Sequence, residues 1–133
     1  MDDSESPNPM RTLRALIVND CRVEQAILVG TLRALGVESL VANNAEEAQE
    51  IIYEGAVVDL IIMDKDMPVM DDGIHATRRL RAMGVTAKIL GIITYYTREA
   101  VLDFLYAGAD DVVLKPVRIE KLISIIEEIN NDI

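Results

Sequence analysis

Cysteine, long apolar runs and basic residues are all scarce in this sequence. Of the 133 residues one is a cysteine, Cys21, so no disulfide can form within the chain, and a reducing compartment, the cytosol or the nucleus, is expected. The apolar runs are far shorter than the roughly 20 residues that cross a bilayer, so no membrane span and no membrane partner are expected. These absences favour a soluble protein.

The charge balance is strongly acidic. The sequence has 13 Lys and Arg against 23 Asp and Glu, a formal net charge of −10 at pH 7. Nucleic-acid-binding proteins carry a clustered basic face, so nucleic acid is not expected as a partner. The basic cluster Arg78, Arg79 and Arg81 falls on a predicted helix and is interpreted as a solvent-exposed face.

The length accommodates one domain. Residues 1–9 combine acidic residues, serines and two prolines without an apolar block, which is typical of a disordered acidic tail and not of a signal peptide. We therefore assign residues 1–12 to a disordered tail and residues 13–133 to the domain. A monomer is expected.

Short runs rich in Ile, Val and Leu alternate with longer segments of helical periodicity, the pattern of a parallel sheet covered on both faces. The predicted strands are Arg14–Val18, Ser39–Ala42, Leu60–Met63, Ile89–Ile93 and Asp111–Leu114. The last helix is predicted over Ile119–Ile129. The fold class is therefore α/β, a doubly wound five-stranded parallel sheet.

Residues that begin and end helices support this interpretation. Asn44 with Glu47 three residues later resembles a capping box, and Thr97 is a suitable N-cap. Four glycines each follow a helical stretch and precede an apolar run, where a left-handed C-cap favours glycine. They are Gly36, Gly55, Gly84 and Gly108.

Polar residues follow four of the predicted strands. Ligands of such sheets gather at the carboxyl ends of the strands, near the point where the strand order reverses. We therefore expect these residues to converge on one rim of the sheet. They are Asn19-Asp20, Asp64-Lys65-Asp66, Thr94 and Lys115-Pro116.

Asp20 and Asp64 would repel each other at this rim without a cation or a proton between them. Mg²⁺ prefers oxygen ligands and keeps several waters, which leaves positions for a phosphoryl oxygen. Lys115 adds a fixed positive charge for a transferring phosphoryl group. The residues predict a magnesium-dependent phosphoryl-transfer site.

At this point the sequence resembles the receiver domains of two-component and phosphorelay signalling, over about residues 14–129. Residues 63–68 and 77–83 look most like short plant receivers that lack an output domain and exchange phosphoryl groups with histidine phosphotransfer proteins. The segments that carry the resemblance are Leu16-Ile17-Val18-Asn19-Asp20, residues 59–68 (DLIIMDKDMP), Asp72-Gly73, Gly108-Ala109 and Lys115-Pro116.

The resemblance implies a (βα)5 flavodoxin-like receiver fold with Asp64 as the phosphoacceptor. It implies that Asp20 and Asp64 bind Mg²⁺ directly and that Asp66 binds it through its backbone carbonyl. Lys115 would contact the phosphoryl group, and its bond to Pro116 would be cis. The donor would be a histidine phosphotransfer protein or a histidine kinase, and the chain would not be a classical enzyme.

Several positions depart from the family pattern. Asn19 stands where the family has an acidic residue, which removes one negative charge, although its amide oxygen can still orient a metal-bound water. Residues 70–73 (MDDG) are one residue longer than usual, which lengthens the loop after Asp64. The switch aromatic of the fifth strand aligns with Val112, which cannot swing as a ring does.

The fourth strand leaves two alternatives open. The family has a Ser or Thr there, whose hydroxyl faces the phosphoryl group, but counting without gaps lands on Ile93. Thr94 takes that role only if a bulge shifts the register by one residue, because such a shift turns a side chain to the other face.

Three functions follow from these observations. The first is a phosphoacceptor in a relay, and the second is a degenerate receiver that binds proteins without phosphotransfer. The third, a haloacid-dehalogenase-type phosphatase, rests on Asp64-Lys65-Asp66 after an apolar strand, but such enzymes need a longer chain. The first helix is apolar around its girth, which indicates either deep burial or a docking face for a helical partner.

Overall fold

The computed structural model describes residues 11–67 and 72–132, in which five strands alternate with five helices. The strands are β1 Leu13–Val18, β2 Val37–Ala42, β3 Leu60–Asp64, β4 Lys88–Ile93 and β5 Asp111–Leu114. The helices are α1 Arg22–Ala34, α2 Ala45–Tyr53, α3 Gly73–Ala82, α4 Arg98–Ala107 and α5 Ile119–Asp132. The tail predicted for residues 1–12 lies outside the described residues as far as residue 10.

The strands form one parallel sheet in the order β2-β1-β3-β4-β5, which confirms the predicted doubly wound fold. The chain steps outward from β1 to β2, returns to β3 on the other side of β1, and continues to β5. The strand order therefore reverses between β1 and β3, where the crevice at the carboxyl ends is expected to bind ligands. β2 begins at Val37, two residues before its predicted start, because Val37 pairs with Leu13.

Apolar side chains fill both faces of the sheet. Leu28 and Leu32 of α1 pack with α5 on one face, and α2, α3 and α4 cover the other. β3 is buried along its whole length, which explains why its sequence is a continuous apolar run and not an alternating one. Among the described residues, no helix has the length and apolar character needed to cross a membrane.

The predicted helix caps are confirmed, although α5 continues to Asp132 beyond its predicted end at Ile129. The side chains of Asn44 and Thr97 accept hydrogen bonds from the N–H groups of Glu47 and Ala100. The four glycines predicted to end helices all have positive φ, between 82° at Gly36 and 122° at Gly108. A left-handed conformation costs residues with a Cβ more than glycine, so these positions stop the helices where the sequence indicated.

Arg81 corrects the interpretation of the basic cluster as a solvent-exposed face. Its guanidinium lies under the α4–β5 turn, where it donates to the carbonyl oxygens of Gly108, Val85 and Ala87 at 2.8–2.9 Å. It also pairs with Asp110 at 3.0 Å. These bonds tie α3 to the turns before β4 and β5, so Arg81 has a structural role.

Candidate functional site

Asp64 and Lys115 meet at the carboxyl edge of the sheet. Asp64 is the last residue of β3 and is 1% exposed, and Lys115 follows β5 directly. β4 lies between these two strands, and the lysine side chain reaches across its end, so that Nζ lies 3.1 Å from Oδ2 of Asp64. The peptide bond between Lys115 and Pro116 is cis.

The two oxygens of the Asp64 carboxylate have different surroundings. Oδ2 accepts from Lys115, whereas Oδ1 accepts a long hydrogen bond, 3.4 Å, from the N–H of Asp66. Burial raises the pKa of Asp64 above its ordinary value, although the lysine and the Asp66 N–H act against this rise. Oδ1 therefore has one weak hydrogen-bond donor, whereas Oδ2 has the charged Lys115 as its partner.

Glu24 is a third charged member of the site, which the sequence analysis missed. Its Oε1 lies 3.0 Å from Nζ of Lys115, so the lysine bridges two carboxylates. A hydrogen bond from Asn19 and the charge of Lys115 outweigh partial burial and lower the pKa of Glu24. In the sequence, Glu24 is recognisable only as an acidic residue in the first turn of α1. Such a residue is normally explained by its favourable interaction with the helix dipole.

Asn19 connects β1, α1 and Glu24. It is 1% exposed, its Oδ1 accepts from the N–H of Cys21, and its Nδ2 donates to Glu24 at 2.9 Å. Cys21 is the N-cap residue of α1, but its side chain makes no capping hydrogen bond. The Asn19 oxygen satisfies the backbone N–H of Cys21 at this end of the helix. The predicted water-mediated contact of Asn19 with Mg²⁺ stays a prediction.

The donors that the resemblance implies fit the coordination chemistry of Mg²⁺. Asp20 is exposed directly after Asn19 at the end of β1, and β1 pairs with β3 up to Val18 and Met63, one residue short of Asp64. Asp66 follows β3 in the loop that leaves this edge. Within residues 11–67 and 72–132 no group of three His, Cys, Asp or Glu side chains could hold a metal ion, so carbonyl oxygens and waters would complete the shell.

Thr94 lies beyond the end of an unbroken strand. β4 pairs residue by residue with both neighbours, up to Asp64 with Ile92 and Leu114 with Ile93. Ile93 is 1% exposed and packs in the core on the α2–α4 side, whereas Thr94 is exposed. The pairing therefore shows no bulge in β4, and a contact of Thr94 with the phosphoryl group stays a prediction.

Val112, at the position of the switch aromatic, is half-buried and packs against the same core cluster as Ile93. Pro68 and residues 69–71, which include the first half of the lengthened segment 70–73, lie outside the described residues.

Gly73 lies directly against the backbone of Asp64. Its N–H donates to the carbonyl of Lys65 at 2.8 Å, and Asp72 caps α3 by accepting from the N–H of His75. A Cβ on Gly73 would lie 2.2 Å from the carbonyl oxygen of Asp64. The start of α3 therefore packs directly on the end of β3, which fixes the backbone that carries the central carboxylate.

Comparison with known proteins decides the family. Residues 15–127 match the family described as the response regulator receiver domain. The chain belongs to this family. It is a receiver domain of two-component phosphorelay systems, and such domains are generally phosphoacceptors and not classical enzymes.

The relatives of this receiver include short plant proteins. It is 42% identical over 127 residues to two-component response regulator 24 of Arabidopsis thaliana, which covers 95% of this chain and 91% of that protein. A two-component response regulator of rice is 40% identical over 115 residues, 84% of this chain and 90% of that one. The chemotaxis protein CheY4 of Vibrio cholerae has the same fold, with a TM-score of 0.80, 26% identity, and 89% of this chain and 98% of that one covered.

The raised pKa of Asp64 predicts that Asp64→Asn stabilises this receiver at neutral pH. An aspartate with a raised pKa in the folded state costs stability once pH exceeds both pKa values, and costs nothing when the carboxyl is protonated in both states. Asparagine removes that cost, so the free energy of unfolding at pH 7 should rise by about 0.5–2 kcal/mol. The gain should disappear at a pH below the ordinary pKa of aspartate.

Urea unfolding at several pH values measures this difference, with the exposed Asp103→Asn as the control. A variant less stable than the wild type at pH 7 would contradict the prediction, since it would mean that Lys115 stabilises the charge of Asp64 more than burial destabilises it.

Proposed function

We propose that this receiver accepts a phosphoryl group on Asp64 from the phosphohistidine of a histidine phosphotransfer protein or a histidine kinase, in a reaction that depends on Mg²⁺. The single observation that carries the proposal is the geometry of Asp64. Its buried carboxylate is held by Lys115 through one oxygen, while the other oxygen makes one long contact with Asp66. Such a carboxylate is oriented and still able to attack.

In the proposed reaction a carboxylate oxygen of Asp64 attacks the phosphorus in line with the phosphohistidine. The bond between phosphorus and the histidine nitrogen breaks, the nitrogen keeps the electron pair, and the aspartyl phosphate forms. The ammonium of Lys115 lies where it would bind a phosphoryl oxygen as charge develops there. When bound by Asp20, Asp64 and the Asp66 carbonyl, Mg²⁺ would neutralise negative charge during the transfer.

The surface beside the site supports a protein as the donor. Val23 and Ile27 of α1 are 67% and 61% exposed, so part of the apolar surface of this helix faces solvent. An apolar cavity of about 270 Å³ lies between α1 and α5, with Glu24 and Lys115 at its polar end. An apolar helical surface on the donor would bury these residues while it brings the phosphohistidine to Asp64.

A degenerate receiver that binds proteins without phosphotransfer is the second candidate. It is favoured by the buried Ile93 and by Val112, because neither side chain can report the phosphoryl group as a hydroxyl or a swinging ring would. For both candidates we propose a monomer in the cytosol or nucleus that binds neither nucleic acid nor membrane, in keeping with the acidic charge and the single cysteine.

Phosphotransfer from a radiolabelled phosphohistidine donor tests the proposal. The donor should lose its label to the wild type with Mg²⁺, and the loss should fall by at least about 100-fold with EDTA or with Asp64→Asn, since the nucleophile or the charge-neutralising ion is then missing. The control is Asp103→Asn, which should behave as the wild type. Retention of the label by several such donors in the presence of the folded wild type would contradict the proposal and would favour the protein-binding candidate.

A further inference from the structure

Lys115 is shared between two carboxylates that lie on the same side of the sheet. Its Nζ is 3.0 Å from Glu24 and 3.1 Å from Asp64, nearly equal distances. The lysine side chain is 24% exposed, the Glu24 side chain 38% and that of Asp64 2%, so this is a partly desolvated group of charges and not a surface ion pair. One ammonium therefore pairs with two carboxylates before any phosphoryl group arrives, which leaves a net negative charge on the group.

Asn19 suits this group of charges because its side chain can donate a hydrogen bond to Glu24. Its amide nitrogen donates to the same Oε1 of Glu24 that contacts Lys115. An aspartate at this position would have no hydrogen to donate, and it would place a second carboxylate against Glu24. Asn19 and Glu24 therefore form a matched pair. The acidic member of the pair is Glu24, and its carboxylate lies beside Lys115.

We propose that Glu24 is a positioning residue that competes with the phosphoryl group for Lys115 and so lowers the stability of the phosphorylated receiver. This inference rests on the proposed function. The phosphoryl group adds negative charge beside Asp64, and Lys115 must then serve both it and Glu24. Repulsion between Glu24 and the phosphoryl oxygens raises the free energy of the phosphorylated state relative to the free one.

The phosphoryl group is consequently held weakly and leaves readily. It leaves when water attacks the phosphorus and the bond to the Asp64 oxygen breaks, which gives inorganic phosphate and regenerates the carboxylate. Alternatively, a histidine nitrogen of the donor attacks the phosphorus, which reverses the transfer. Both routes start from the same destabilised state, so Glu24 makes the free-energy change of each more favourable.

Glu24→Gln removes the charge and keeps the shape. The glutamine oxygen can still accept from Asn19 and from Lys115, so the packing of α1 is retained. The matched control is Glu50→Gln, an exposed glutamate of α2 on the opposite face of the sheet. Equal unfolding midpoints of the three proteins would establish that any difference in binding comes from the site.

The test measures the affinity of the three proteins for beryllofluoride, a phosphoryl mimic, with Mg²⁺, by NMR titration. Glu24→Gln should bind about fivefold more tightly than the wild type, because a unit charge close to the mimic is gone, and Glu50→Gln should match the wild type. The aspartyl phosphate should also last longer in Glu24→Gln. Equal or weaker binding by Glu24→Gln would overturn the inference alone, whereas no binding by any of the three would overturn the proposed function and the inference with it.

A double-mutant cycle tests the pairing of Asn19 with Glu24 independently of phosphate. Asn19→Asp should lower the unfolding midpoint in the wild-type background, where the introduced carboxylate faces Glu24. It should lower the midpoint less in the Glu24→Gln background, where the glutamine amide can donate to the introduced carboxylate in place of the lost asparagine bond. An equal loss in both backgrounds would overturn the assigned pairing.

Discussion

Gly73→Ala should lower the free energy of unfolding by about 3 kcal/mol or more, and it should also impair phosphotransfer to Asp64. The added Cβ would lie 2.2 Å from the carbonyl oxygen of Asp64 and 2.9 Å from Cγ of Met63. The Met63 side chain is buried in the core, and the carbonyl belongs to the last residue of the central strand β3. Relief of this overlap therefore requires a backbone shift at Asp64 itself.

Gly30→Ala in α1 is the matched control for this substitution. A Cβ at Gly30 would have no heavy atom within 4 Å. Alanine in a helix loses less conformational entropy than glycine, so this variant should be equal to the wild type or more stable by up to about 1 kcal/mol. Urea unfolding of the three proteins measures both effects, and a Gly73→Ala midpoint equal to that of the wild type would contradict the close packing of α3 on β3.

Arg81→Met should destabilise the fold by about 2–4 kcal/mol, since the guanidinium satisfies several acceptors at once. Its removal leaves the carbonyl oxygens of Gly108, Val85 and Ala87 without this donor. It also removes the partner of Asp110, which in addition accepts from the N–H of Ile89 at the start of β4. Methionine retains much of the aliphatic volume, so the loss reports mainly the polar contacts.

Arg78→Met on the same helix is the control for Arg81→Met. Arg78 is exposed and contacts the ring of His75 at 3.4 Å, so its replacement should change the free energy of unfolding by less than about 0.5 kcal/mol. Thermal unfolding followed by circular dichroism distinguishes the two variants. Similar midpoints for both variants would contradict the structural role of Arg81 and would support its interpretation as part of a solvent-exposed face.

The fold was predictable because its signals are local. β5 has the predicted bounds and Gly36 and Gly108 end the helices that precede them, since an apolar run and a glycine each act on the few residues around them. The start of β2 at Val37 was not predicted. It depends on pairing with Leu13, and such pairing across the sheet leaves no mark in the sequence.

The site was predictable at the strand ends and not beyond them. Asp64 and Lys115 come together as expected, because parallel strands end at one edge of the sheet. Glu24 and Arg81 were missed, since their roles depend on how far a long side chain reaches across the folded domain. On α3 the periodicity does not distinguish Arg81 from Arg78, and the distinction comes from the α4–β5 turn that lies above one of them.

The unbroken register of β4 has a consequence for how information passes through this receiver. Ile93, the residue to which counting without gaps assigns the family's hydroxyl, is fixed in the core, and Val112 has no ring to turn outward. On the proposed function, phosphorylation of Asp64 would therefore change little in the surface that a downstream protein could recognise. The signal would then lie in the dephosphorylation of the donor, and the receiver would act as a sink that limits how long the donor stays phosphorylated.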